Sequence, residues 1–130
     1  MTNQAKCGII YTERKGASPL PGKRGIIMIN IRTIRKLTNN DGLTLKNGKV
    51  ITYKSGWQVA TEGVECFTAR DAINAVKAYG GNCGVWLDEN GIYYVDCSFR
   101  VSTKAEALRI GREKNQICIL RWKDMSLIYC

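Results

Sequence analysis

The sequence predicts an α+β domain: an antiparallel sheet with two helices on one face, built as a tandem helix–strand–strand repeat. Three observations predict it. Asn47-Gly48 lies between two short segments of strand-forming character, and this dipeptide accepts the positive φ angles of a tight hairpin turn. Thr68 and Thr103 are each followed three residues later by an acid, Asp71 and Glu106, and then by an amphipathic stretch, which is how a capped helix begins. A shift of 35 residues also carries Thr68 onto Thr103, Ala72 onto Ala107, Cys83 onto Cys118 and Tyr94 onto Tyr129, with Trp86 and Trp122 one place out of step.

Taken in order, residues 1–25 hold Gly16, Pro19, Pro21 and Gly22 with little periodicity and read as an N-terminal arm, leaving 26–130 as a single domain. In residues 25–37, Ile27, Ile29 and Ile31 alternate with their neighbours and predict a strand, closed by the turn-rich Thr38-Asn39-Asn40-Asp41-Gly42. The hairpin of 43–46 and 49–53 follows, and Ser55-Gly56 turns the chain into a strand over 57–65. The repeat units cover about 68–97 and 103–130. Each carries one helix of about three turns, a terminator (Gly80-Gly81 or Asn115) and two strands joined through Asp88-Glu89-Asn90-Gly91 or Lys123-Asp124-Met125-Ser126. Within 95–101, Val95, Cys97, Phe99 and Val101 share one strand face, which places Phe99 in the core, while Asp96, Ser98 and Arg100 share the other.

Composition narrows the function. With 130 residues, 45% hydrophobic content and only two prolines, the chain is one globular domain able to bury a core without disulfide staples. No run of 18 apolar residues is present, and the first residues lack the apolar stretch of a secretory signal, so a soluble cytosolic protein is expected. The six cysteines form no C-x-x-C pair and have no histidine to join them, so no metal site is expected and buried reduced thiols are the simplest reading. Twenty basic residues against eleven acidic ones give a charge of +9, which favours phosphate-bearing partners.

No catalytic constellation is evident: histidine is absent, the acids sit at helix starts and turns, and no phosphate-binding glycine loop or nucleophile elbow occurs. A binding role is expected, without cofactor. In the second predicted helix, Arg109 and Arg112 share a face with Glu106 and Glu113. Two readings compete there, an ion-paired solvated face or two guanidinium forks offered to phosphate oxygens. Gly111, in line with Ala107, marks a close approach by another backbone, a partner subunit or a ligand, or else tight packing of the helix on this domain's own sheet. Arg100 and Lys104 flank the start of the same helix, where backbone amides attract anions. Trp86 and Trp122 are most simply core, whereas Trp57 follows a turn and is freer to stack on a base.

The segments Thr52-Tyr53-Lys54-Ser55-Gly56-Trp57-Gln58-Val59, Gly91-Ile92-Tyr93-Tyr94-Val95-Asp96 and Ser102-Thr103-Lys104-Ala105-Glu106-Ala107-Leu108 carry a resemblance, together with Asn115-Gln116 and Trp122-Lys123-Asp124-Met125. Over roughly residues 28–130 the chain resembles small proteins of phages and prophages of Firmicutes, and most of all the first-described Thoeris anti-defence family, the cyclic-nucleotide sponges. The resemblance implies a non-catalytic homo-oligomer that sequesters glycocyclic ADP-ribose, and in some members cyclic oligonucleotides. It also implies ligand-binding arginines on the C-terminal helix, here Arg109 and Arg112, with an aromatic partner for which Phe99, Tyr93 and Trp57 compete. Two further classes fit the charge: a basic phage nucleic-acid-binding protein, and an inhibitor docking on an acidic host defence enzyme.

Overall fold

The structure, a computed structural model, describes Thr12–Glu13 and residues 29–130. Most of the expected arm, and Ile27 of the first expected strand, lie outside the described residues. Within the arm, Thr12–Glu13 (β1) pairs in parallel with a later strand at Val64 and Glu65.

One expected element changes type. Ile31–Arg35 forms a short helix, α1, where alternation predicted a strand. The Asn30 side chain accepts a hydrogen bond from the Arg32 amide at 2.8 Å, and this cap opens a turn that carries Ile34 into the core with no exposure. Ile31 and Ile34, three residues apart, thus share a helix face, and the period-2 pattern was a coincidence of spacing.

The hairpin follows as expected, with β2 (Asp41–Lys46) and β3 (Lys49–Val50) joined by Asn47 at φ 53° and Gly48 at φ 82°. β4 (Trp57–Cys66) leads into α2 (Ala69–Ala78), β5 (Cys83–Leu87) and β6 (Tyr93–Val101). α3 (Lys104–Glu113), β7 (Cys118–Arg121) and β8 (Ser126–Tyr129) close the chain. The order helix, strand, strand therefore occurs twice. Thr68 and Thr103 cap α2 and α3 by accepting the Asp71 and Glu106 amides at 3.0 and 3.2 Å. Gly80, Gly81 and Asn115 take the positive φ that ends each helix.

The sheet runs β3-β2-β5-β6-β4-β7-β8 and is antiparallel along that path. α2 and α3 lie on the same face of it, and a bulge makes this arrangement work. Ala60 pairs with Ser98 and Glu62 with Cys97, which leaves Thr61 as an extra residue in β4. Without that insertion Val59 and Val64, five residues apart, would point to opposite faces. With it, Val59 packs under α3 beside Ala107 and Ile119, while Val64 packs under α2 beside Ala72 and Val76. Gly111 belongs to this packing. A Cβ there would meet Cys130 Sγ at 2.7 Å and Ile119 Cγ2 at 3.3 Å, so its close approach is to this domain's own sheet and C-terminus.

The cysteines mostly behave as small apolar residues. Cys66 and Cys83 are buried thiols on β4 and β5, and Cys97 and Cys130 are half-buried thiols, none of the four in a disulfide. Cys118 departs from the expectation of reduced thiols, being disulfide-bonded. No helix among the described residues is long and apolar enough to cross a membrane.

Candidate functional site

The face of the sheet without helices is where cavities form. In a flat sheet β2 and β8 would stand about 24 Å apart, five strand spacings. Gly42 of β2 and Leu127 of β8 nevertheless line one cavity of about 260 Å³, so the sheet curls strongly around this face. Small residues form its floor: Gly42, Ala60, Gly84 and Ser98. Trp86, Leu120, Leu127 and Met125 form its walls. Two glycines let neighbouring side chains come close. A Cβ on Gly42 would lie 3.1 Å from Trp86 Cδ1, and one on Gly84 would lie 2.7 Å from Asp96 Oδ1, which accepts the Gly84 amide at 2.9 Å.

A second cavity of about 170 Å³ adjoins the first, the two sharing Thr44, Gln58 and Ser98. Lys46, Tyr53 and Arg100 line this end. Arg100 is held from three sides: its Nε donates to the Ser55 carbonyl at 2.9 Å, its Nη2 to Ser55 Oγ at 3.2 Å, and its guanidinium lies 5.2 Å from the centre of the Tyr53 ring. Tyr53 meets Trp122 edge-on at 5.4 Å. Trp122 donates its indole N–H to Gln58 Oε1 at 3.0 Å, and Gln58 Nε2 donates to Ser98 Oγ at 3.0 Å. This chain of contacts fixes the groove between its two ends, and Arg100 keeps further N–H donors beyond the two that Ser55 accepts.

The residues singled out in the sequence are dispersed. Arg100 and Phe99 reach the smaller cavity, Phe99 remaining 38% exposed instead of entering the core. Arg100 shares the helix-free face with Ser98 and Asp96, so it does not join Lys104 at the start of α3; Lys104 is exposed there. Trp57 is not free to stack, because it packs against Val59 and Ala107 under α3. Arg109 lies on the solvent face of α3, its Nη2 2.6 Å from Glu106 Oε2 and its Nη1 3.4 Å from Glu113 Oε2. The hydrogen bond from Arg109 holds the Glu106 carboxyl below its ordinary range. Arg112 is also exposed, and Lys104, Trp57, Arg109 and Arg112 line neither cavity.

Trp86, Tyr53, Gln58 and Gln116 are the site residues that sequence reasoning missed. A signal existed for the first: glycines two residues before Trp86 and at its partner position on β2 leave room for an indole lying across the sheet. The acids at turns are structural, as expected. Asp88 accepts the Asn90 and Ile92 amides through Oδ1 at 2.8 and 3.0 Å and the Tyr94 hydroxyl through Oδ2 at 3.0 Å. Burial, followed by that bond, pushes Tyr94 up to about 12.

Fold and groove together define a curled antiparallel sheet, backed by two helices, with a groove on its other face. Set against known protein families, characterised proteins and solved structures, the chain matches none of them.

Proposed function

We propose that the chain is a non-catalytic binding protein that sequesters a small phosphorylated guest, a cyclic nucleotide of the glycocyclic ADP-ribose kind, in the groove on the helix-free face. One observation carries the reading: an apolar, indole-walled cavity opens beside a second lined by Arg100, Lys46 and Tyr53. A ring system suits the first and a phosphate the second. Together the two volumes reach the lower part of the ~300–1,000 Å³ range typical of small-ligand sites. The absence of histidine, and the use of Asp96, Gln58 and Ser98 in internal hydrogen bonds, favour capture over turnover. The resemblance to phage anti-defence sponges supplies a matching guest and a biological use, silencing a bacterial immune signal inside the host cell.

The reading includes a homo-oligomer. Its structural support is β8, an edge strand of sequence Ser-Leu-Ile-Tyr that carries no charge or proline to discourage pairing. Light scattering that gives a 14.5 kDa monomer removes that part.

Calorimetry with a cyclic ADP-ribose isomer tests the site. Arg100→Met is expected to weaken binding at least tenfold, whereas Arg109→Ala and Arg112→Ala, outside the groove, leave it close to wild type. The opposite pattern moves the site to the solvent face of α3, and no binding by the wild type overturns the reading. Salt separates it from the nucleic-acid alternative, because contacts with many phosphates lose affinity steeply as ionic strength rises and a buried small guest loses far less.

A further inference from the structure

The helix layer carries its charge unevenly. On α3, Arg109 is answered by Glu106 and Glu113. On α1 and α2 the cations have no such partners. Arg32, Arg35 and Lys36 at α1, and Arg70 and Lys77 on α2, are exposed, and the only acid in these two elements is Asp71, half-buried at the start of α2. Among the described residues none of the five cations forms an ion pair.

Packing puts all five on one outward surface. Ile31 and Ile34 of α1 and Ala72, Ile73 and Val76 of α2 point into the same core cluster, and the two helices pack on each other. Burying those sides turns Arg32, Arg35 and Lys36 outward from α1, and the stripe Arg70, Asn74 and Lys77, spaced i, i+4 and i+7, outward from α2. Arg70 and Lys77 stand about 10 Å apart along the axis of α2, and the α1 cations lie one interhelix spacing away, about 8–10 Å. A single small anion cannot meet cations spread this widely, whereas a duplex with one negative charge per roughly 1.7 Å of its axis can. A bilayer fits less well, because the apolar sides of both helices lie in the core and are not free to enter lipid.

We infer that the outward face of α1 and α2 is a second binding surface, independent of the groove and on the opposite side of the sheet from it, which holds the phosphate backbone of double-stranded nucleic acid without reading its sequence. Arginine and lysine there neutralise phosphates and release the counterions that a duplex carries, so the affinity is set by salt.

Fluorescence anisotropy of the full chain with a short labelled DNA duplex of mixed sequence tests the surface. Between about 50 and about 200 mM salt, the logarithm of the affinity is expected to fall against the logarithm of salt with a slope of about −4.5, the value for five neutralised phosphates. Arg35→Gln with Lys77→Gln, and separately Arg32→Gln with Arg70→Gln, are each expected to flatten that slope by about 2 and to weaken binding at the lower salt by about tenfold. Lys114→Gln with Lys123→Gln, the same loss of charge at exposed positions outside these two helices, is expected to leave slope and affinity close to wild type. An equal loss in that control pair overturns the inference, because binding then follows net charge and not this face. It is also overturned if the wild type does not bind the duplex at the lower salt, or if it binds phosphatidylserine vesicles more tightly than duplex at equal phosphate. None of these outcomes bears on the groove, whose test is binding of the cyclic nucleotide.

Discussion

Gly56 and Arg100 occupy a space that admits only one side chain. Gly56 has φ +92°, and a Cβ there would lie 2.5 Å from Arg100 Nε and 2.7 Å from its Cζ. The glycine thus does two things: it turns the chain between the hairpin and β4, and it leaves the wall open where the guanidinium settles over Tyr53.

Gly56→Ala is therefore expected to cost the ~1–2 kcal/mol that an L side chain pays in a left-handed conformation, while the methyl group pushes aside the guanidinium, the movable end of a flexible side chain. Arg100→Met alone is expected to leave stability nearly intact. Urea unfolding followed by circular dichroism measures both. If the alanine variant is as stable as wild type, the left-handed turn described for Gly56 does not exist in solution.

The two helix caps lend themselves to a matched pair of variants. Thr68→Ala and Thr103→Ala each remove one hydroxyl that accepts an amide at the start of a helix. Each is expected to lower stability by about 1 kcal/mol, with serine at either position restoring most of it. Equal stability of alanine and serine variants in thermal melts would show that neither hydroxyl caps.

Alkaline pH should destabilise the fold, and the sign follows from the direction of the shifts. Burial pushes the Cys66 thiol from 9.0 up to about 12, drives Cys83 well above 9.0, and raises the Tyr94 hydroxyl from 10.0 to about 12. In the unfolded chain these groups lose their protons first, so the folded state holds more protons and stability falls with rising pH. The stabilisation is complete below pH 9.0 and is lost progressively towards pH about 12. Urea midpoints at neutral pH and at about pH 10.5 are expected to differ in that direction, with a shallower slope in Cys66→Ala. The same burial predicts that Cys66 and Cys83 resist alkylation until the protein unfolds. A midpoint that stays level across this range would contradict the burial of these groups.

What the sequence alone determined is local. Asn47-Gly48, the capping threonines Thr68 and Thr103, the helix-ending Gly80-Gly81 and Asn115, and the alternation along β6 each act within a few residues, where backbone sterics and short-range hydrogen bonds decide the outcome. They were enough to place an α+β domain with two major helices against an antiparallel sheet. Where two local rules disagreed, at Ile31, alternation lost to the Asn30 cap and the burial of Ile34.

The groove was decided by tertiary structure. Its lining brings together residues as far apart as Gly42 and Leu127, and they meet only because the sheet curls. The extra residue at Thr61 in turn sets which face of β4 each helix covers, and so leaves the groove face free of helices. The local spacing around Arg109 allowed both an ion-paired face and free guanidinium forks, and the structure takes the pairs with Glu106 and Glu113, whereas nothing near Arg100 in sequence shows Ser55 and Tyr53 beneath it. A concave surface depends on strand order and twist summed over the whole sheet, and that sum is absent from any short stretch of residues.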